Sequence, residues 1–334
     1  MYNIFITFIM GRIFMYTIGI DLGGTNIKVG LCNDQLRIID KESAHTLSQR
    51  APEEIVKDMA SLARKVIERN NLTLDDIAFI GIAAPGAVNS KTGYIEYANN
   101  IPFKNFPIVE IFKKYLPIEK LYIENDANAA ALGEAVAGAA KGSKSSVMVT
   151  LGTGVGGGII LDGKIFSGGL NTAGGELGHM VIDVNGRQCS CGRRGCFEAY
   201  CSAAALTDIT KAKIRELKLK GITSLLSDCA EHEGKVSART AFNAKQKGDR
   251  YGTELVNDYI YHLAVGITNL VNIFQPEMII IGGGVSNEKD RLIHPLASIV
   301  DVDQYTRGAA KKTQIKVASL GNNAGIVGAA CLGR

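Results

Sequence analysis

Three thiols, Cys189, Cys191 and Cys196, fall inside eight residues, and one imidazole, His179, precedes them by ten. Three thiolates and an imidazole make a Cys₃His set, a common closed tetrahedral Zn²⁺ site, and Gly192 and Gly195 permit the tight turns that would converge the ligands. Cys201, five residues further on, could compete as a ligand. The chain has seven cysteines, an odd number. A disulfide framework would spread them through a short secreted chain, and buried packing thiols seldom come three to a polar, Arg-rich loop. Metal binding explains this cluster better. Cys32, Cys229 and Cys331 stand alone in apolar or helical contexts and read as packing residues.

A second polar concentration, Glu124-Asn125-Asp126-Ala127-Asn128, sets two carboxylates and two amides at the junction of an apolar run and an Ala-rich stretch. Asp and Asn are favoured at helix starts because they bond the free N–H groups there, but a cap needs only one of them. Polar side chains just beyond the C-terminal end of a buried strand also lie where open α/β sheets bind ligands. For Asp126 both readings stand on the residues alone.

Gly152-Thr153-Gly154-Val155-Gly156-Gly157 satisfies the GxGxxG pattern. A dinucleotide site requires a helix directly after those glycines, whose N-terminus holds the pyrophosphate. Here an apolar run follows instead, then Asp162-Gly163, the signal of a hairpin turn. The nicotinamide and flavin reading fails, and no GxxxxGK[ST] segment offers a P-loop. Gly-rich turns between strands can still hold phosphate, because successive backbone N–H groups point at one anion. This chain has two such turns of one shape, Asp21-Leu22-Gly23-Gly24-Thr25 and Leu151-Gly152-Thr153-Gly154, each between apolar runs, and the pairing favours phosphate binding over plain hairpins.

The elements that must position these groups are legible from periodicity. Residues 53–70 carry Ile55, Met59, Leu62, Val66 and Ile67 at the spacing of an amphipathic helix. Residues 77–84 read as a buried strand ending at Pro85-Gly86, and 121–125 as another that passes into a helix over 127–140. A long helix over 254–274 is stopped by Pro276, and a buried strand over 278–281 enters Gly282-Gly283-Gly284. Strands alternating with helices, with one hairpin shape in each half, predict an α/β protein of two related lobes with its site in the cleft between them. A length of 334 residues suits two domains, and 46% hydrophobic with 21% charged residues is a globular composition. The net charge, 37 basic minus 33 acidic or +4, is too weak a bias to imply nucleic acid. The first fourteen residues are apolar but broken by Gly11 and Arg12, too short to span a membrane and without a cleavage signal. They are expected to be an extension of a cytoplasmic protein.

Together these residues resemble the ROK family of sugar kinases, within the actin-like and hexokinase-like ATPases. The block from His179 to Glu198 carries the family's own signature, and the resemblance runs from about Met15 to the C-terminus. It implies a two-lobed actin-like (RNase H-like) α/β fold with the active site in the interdomain cleft. Residues 15–124 and 322–334 would form the smaller lobe and 125–321 the larger one, after an extension over 1–14. It further implies ATP-dependent phosphorylation of a hexose, with glucose leading and Asp126 as the base that accepts the proton of the 6-hydroxyl. ATP would be held by Asp21, Gly23, Gly24, Thr25, Asn26 and Lys28 in the first turn, Gly152, Thr153 and Gly154 in the second, and Gly283 and Gly284 on the adenosine side. Asp21 would also hold Mg²⁺, through water. The sugar would meet Asn100 (or Asn99 in its place), Asn125, Asp126, Glu176, His179 and Glu198. Zn²⁺ on His179, Cys189, Cys191 and Cys196 would be structural, and the protein a homodimer. Relatives often carry a Trp after the Asn, where this chain reads Asn99-Asn100-Ile101-Pro102-Phe103. A kinase of N-acetylmannosamine or N-acetylglucosamine is the main alternative. A ROK-type repressor fits poorly, since fourteen residues ahead of Met15 are too few for a helix-turn-helix.

Overall fold

The computed structural model describes residues 16–99, 101–169 and 174–334. The expected extension over 1–14 and the candidate Asn100 lie outside the described residues. The first half runs β1 (Tyr16–Leu22), β2 (Asn26–Cys32), β3 (Ile38–His45), α1 (Pro52–Arg69) and β4 (Ile77–Ala84). It continues through the short strands β5 (Ala87–Asn89), β6 (Tyr94–Tyr97) and β7 (Lys104–Phe106), then α2 (Ile108–Tyr115), β8 (Leu121–Asn125) and α3 (Asp126–Val136). The second half runs β9 (Ser146–Leu151), β10 (Val155–Leu161), β11 (Lys164–Phe166), α4 (Glu198–Cys201), α5 (Ala203–Leu219), α6 (Leu225–His232) and α7 (Ala238–Gln246). It closes with α8 (Arg250–Phe274), β12 (Met278–Gly282), α9 (Asp290–Asp303), β13 (Gln314–Val317) and α10 (Ala324–Ala329).

Two five-stranded sheets repeat one topology, β3-β2-β1-β4-β8 and β11-β10-β9-β12-β13. In each, an antiparallel hairpin supplies the central strand, and two parallel strands extend the sheet on the other side. The duplicated hairpins expected from the two glycine turns are therefore real, with Leu22 opposite Ile27 and Leu151 opposite Val155. The GxGxxG segment continues as strand β10 and turns back through Asp162 (φ 50°) and Gly163 (φ 74°), which removes the dinucleotide reading. α1 starts on Pro52 with Glu53 and Glu54 in its first turn and buries Ile55, Met59, Val66 and Ile67, as its spacing predicts.

Alternation along the strands sorts most of the core into three large clusters. Ile18, Ile20 and Leu22 face the cluster with α1, while Val147, Val149 and Leu151 face the one with α8 and α9. Met148, Ile160, Ile280, Ile326 and Val327 share a third cluster between the sheets, where α3 packs against α10 and β10. Gly19 and Gly81 mark where α10 comes closest: a Cβ at either would stand 1.9 Å from a carbonyl oxygen, that of Ile326 or Ala329. Hence β1 reads Ile-Gly-Ile at this point, with large side chains on the α1 face and none where α10 packs.

Two boundaries differ from the periodicity reading. α3 stops at Val136 rather than near 140, because the fully buried Glu134 turns its carboxylate onto the Ala139 N–H (2.7 Å). The same carboxylate accepts from Ser319 N–H (3.1 Å), Ser319 O–H (3.2 Å) and Leu320 N–H (2.8 Å), tying α3 to the segment before α10. α8 begins at Arg250, ahead of Glu254, because Asp249 caps it by accepting the Gly252 N–H (2.7 Å).

Candidate active site and metal cluster

β8 ends at Asn125, and that residue makes the helix cap: its Oδ1 accepts the N–H groups of Ala127 (2.9 Å) and Asn128 (3.2 Å), while its Nδ2 donates to the Gly86 carbonyl (3.0 Å). Asp126 is thereby relieved of capping. It accepts the Ala127 N–H through Oδ1 (2.8 Å) and fronts the cleft. Burial pushes its carboxyl from the ordinary 3.8 up to about 6. The Ala127 N–H opposes that shift, and the negative charges of Asp21 and Glu176 add to it. Such a carboxylate is roughly nine-tenths ionised at pH 7 and still basic enough to take a proton.

Asp126 stands where two cavities meet. A small one of ≈ 150 Å³ is walled by Gly86, Asn125, Asp126, Asn128, Gly156, Gly157, Gly175 and Glu176. A larger one of ≈ 750 Å³ runs between the sheets past Asp21, Lys28, Asp126, Gly156, Gly283 and Gly284. Gly284 and Asn287 are shared in turn with an outer cavity of ≈ 740 Å³, whose wall includes Thr153, Thr207, Lys211, Lys235, Ser237 and Arg239. The three form a trough with Asp126 at the junction of its small and middle parts. Beyond Thr153 and Gly284, the outer wall escaped the sequence reading because α5, the start of α7 and the turn after β12 contribute scattered ordinary polar residues with no local pattern.

In the middle cavity Lys28 bonds Asp21 (2.9 Å), its register partner across the first hairpin. The first turn is closed by Gly23 N–H to Asn26 O (2.9 Å) and braced by Thr46, whose hydroxyl donates to Gly23 O (2.6 Å) and whose N–H donates to Thr25 O (2.8 Å). The second is closed by Gly152 N–H to Gly154 O (3.0 Å) and held from below by Ala203 N–H to Gly152 O (2.7 Å). Gly24 lies within the first turn. Asn26 fronts a separate cavity with Lys28 and Asn323. Asn99 is exposed after β6.

His179, Cys189, Cys191 and Cys196 converge with all four ligand atoms within 4.8 Å of one another. Cys191 and Cys196 sulfurs are 3.7 Å apart, and Cys189 Sγ lies 3.8 Å from His179 Nδ1. A tetrahedron with Zn–S bonds of about 2.3 Å has edges of about 3.8 Å, so the donor set fits Zn²⁺ in both chemistry and size. Cys201 is outside the group: it is buried in the α8 core, and its carbonyl accepts the Tyr259 hydroxyl (2.7 Å). Cys32, Cys229 and Cys331 are core residues, as expected. Glu198 links this loop to the second glycine turn, with Oε2 accepting Val155 N–H (3.0 Å) and Oε1 accepting the Ser190 hydroxyl (3.3 Å). Tyr200 pins the loop from beneath by donating to Asp183 (2.8 Å) and accepting Arg187 N–H (2.9 Å).

Two sheets of one topology, with Asp21 and Lys28 of the first and Gly156 and Gly283 of the second lining one cleft, define the actin-like ATPase fold. Residues 17–334 match the ROK family, and the chain belongs to it. It is 35% identical over 312 residues to a glucokinase of Halalkalibacterium halodurans, covering 93% of this chain and 92% of that one. The ROK hexokinase of Thermus thermophilus superimposes with a TM-score of 0.77 at 31% identity, over 95% of this chain and 97% of that one. A Streptomyces griseus ROK family glucokinase, solved in complex with glucose and AMPPNP, does so at 0.73 and 30%, over 94% and 98%. Among the described residues, no helix is long and apolar enough to cross a membrane.

Proposed function

We propose that the protein is an ATP-dependent hexokinase that converts glucose to glucose 6-phosphate. The observation that carries this is Asp126: a carboxylate with its pKa drawn up to about 6, standing where a small polar cavity opens into a cleft large enough for a nucleotide. The sugar occupies the ≈ 150 Å³ cavity and the nucleotide the other two, its base end beyond Gly284. Asp126 accepts the 6-hydroxyl proton as that oxygen bonds the γ-phosphorus and the bond to ADP breaks. The transition state is loose, so the protein's share of the work is alignment and charge balance rather than covalent chemistry. The N–H groups of Gly24 and Thr25 in the first turn and of Thr153 and Gly154 in the second cradle phosphate oxygens, and Lys28 supplies positive charge beside them. Mg²⁺ enters with ATP, and Asp21, a carboxylate at the mouth of the first turn, suits it as an oxygen donor.

In this reading Asn125 shapes the sugar cavity through its backbone and cap, since its amide is committed to Gly86, Ala127 and Asn128. Glu176, His179 and Glu198 meet sugar hydroxyls, together with Asn99 or Asn100. His179 can serve metal and sugar at once because its ring has two nitrogens. Zn²⁺ on His179, Cys189, Cys191 and Cys196 is structural, as a closed set leaves no position for substrate. The lobes divide as 15–124 with 322–334, and 125–321, and the active species is a cytoplasmic homodimer. The relatives named as glucokinases and the glucose and AMPPNP complex support glucose as the acceptor. A coupled ADP-release assay over hexoses and N-acetylhexosamines tests it. We expect kcat/KM for glucose to exceed that for N-acetylmannosamine at least about tenfold, a difference of ~1.4 kcal/mol in transition-state binding. Preference for the N-acetylated sugar would replace glucose and leave the kinase chemistry standing.

A further inference from the structure

Asn128 has no part in the scheme above, yet it walls the small cavity beside Asp126. Its side chain is almost wholly buried, at 4% exposure, in the first turn of α3. Helical side chains tilt toward the N-terminus, so those of the first turn overhang the end of β8 and can reach the space in front of it. One feature of Asn128 is already decided. Its Nδ2 donates to Glu124 Oε1 (3.1 Å), and the same oxygen accepts the Asn125 N–H (2.9 Å). Glu124 is itself buried, at 6% exposure. A carboxylate only accepts, which assigns the orientation of the amide: the NH₂ faces Glu124 and the carbonyl oxygen faces away from it. Among the described residues no donor meets that oxygen. Gly156, Gly157, Gly174 and Gly175 line the same cavity with backbone.

We infer that Asn128 is a sugar-binding residue whose Oδ1 accepts one ring hydroxyl of the hexose, and that the buried Glu124 is the positioning residue that holds the amide in this sense. The inference rests on the kinase reading, in which this cavity holds the sugar. An amide oxygen does not take a proton at neutral pH, so Asn128 contributes to holding the sugar rather than to the transfer itself. Its loss should therefore appear in sugar affinity and KM more than in kcat.

The test is calorimetry of the full chain with glucose and with the 1-, 2-, 3- and 4-deoxyglucoses, for wild type and Asn128→Ala. Glucose should bind about five- to tenfold more weakly to the variant, the usual worth of one neutral hydrogen bond. ADP affinity should stay at the wild-type value, while the melting temperature should fall by a few degrees because Glu124 loses a buried donor. One deoxyglucose, lacking the hydroxyl that Asn128 accepts, should bind wild type and variant equally, which a packing defect would not produce. Asn128→Ser, which keeps a small polar group beside Glu124, repeats the comparison if the alanine variant folds poorly. Unchanged glucose affinity, or an equal loss for every deoxyglucose, overturns the inference while the kinase reading stands. Wild type that ignores glucose and binds N-acetylmannosamine overturns the choice of sugar instead, and the same Asn128→Ala comparison on that sugar then decides the inference.

Discussion

Asp126→Asn separates the two consequences of placing a carboxylate in the cleft, since asparagine keeps the shape and the Oδ1 acceptor for the Ala127 N–H but cannot take a proton. Losing a positioned base should lower kcat by about 10²–10⁴ with a smaller effect on ATP affinity. The wild-type kcat/KM should fall below pH about 6, where the carboxyl binds its proton, and be down roughly tenfold at pH 5. The residual activity of the variant should lack that limb. Stability should move the other way. A folded-state pKa raised from 3.8 to about 6 means that the folded protein holds this proton more tightly than the unfolded chain does. The destabilisation is absent below pH about 4, grows between 4 and 6, and is complete above 6. The shift corresponds to about 3 kcal/mol, an upper bound because Asp126 keeps part of its surface in the open cleft. Asp126→Asn should thus melt several degrees above wild type at pH 8, with the margin gone by pH 4. Steady-state rates from pH 5 to 9 and melting curves at pH 4 and 8 measure both. Near-normal kcat in the variant would refute Asp126 as the base, and a melting margin independent of pH would refute the electrostatic reasoning.

Cys191→Ser should lose zinc and weaken sugar binding and stability together, because Glu198 ties the metal loop to the second glycine turn, whereas Asp126→Asn keeps its full metal complement. Elemental analysis decides this: less than about half an equivalent in reduced, unchelated wild type would contradict the four-ligand site. Glu134→Ala strips four donors of their buried acceptor and should cost about 3–5 kcal/mol, read as a drop in denaturant midpoint. A loss under about 1 kcal/mol would mean that those donors find water instead.

Local chemistry made the candidate catalytic and metal-ligating residues legible. The cysteine spacing, the two glycine turns and the polar junction at 124–128 all announce themselves within a few residues, and strands 77–84 and 121–125 are copied in β4 and β8. What the sequence hid depends on distant contacts. The stop of α3 at Val136 follows from Glu134 reaching Ser319 and Leu320, and the exclusion of Cys201 follows from its burial against α8. Whether Asn125 or Asp126 caps α3 turned on side-chain geometry that either residue could have adopted. The outer cavity joins α5, α7 and the loop after β12, and no spacing along the chain foretells that meeting.

The most direct test of the central claim, that the cleft hands the γ-phosphate of ATP to a sugar hydroxyl activated by Asp126, is the position of the phosphate in the product. Wild-type protein with ATP, Mg²⁺ and uniformly ¹³C-labelled glucose, followed by ¹³C and ³¹P NMR, should yield glucose phosphorylated at C6 with one ADP released per sugar consumed. Phosphate at another carbon, or ADP released without any sugar phosphate, would contradict it.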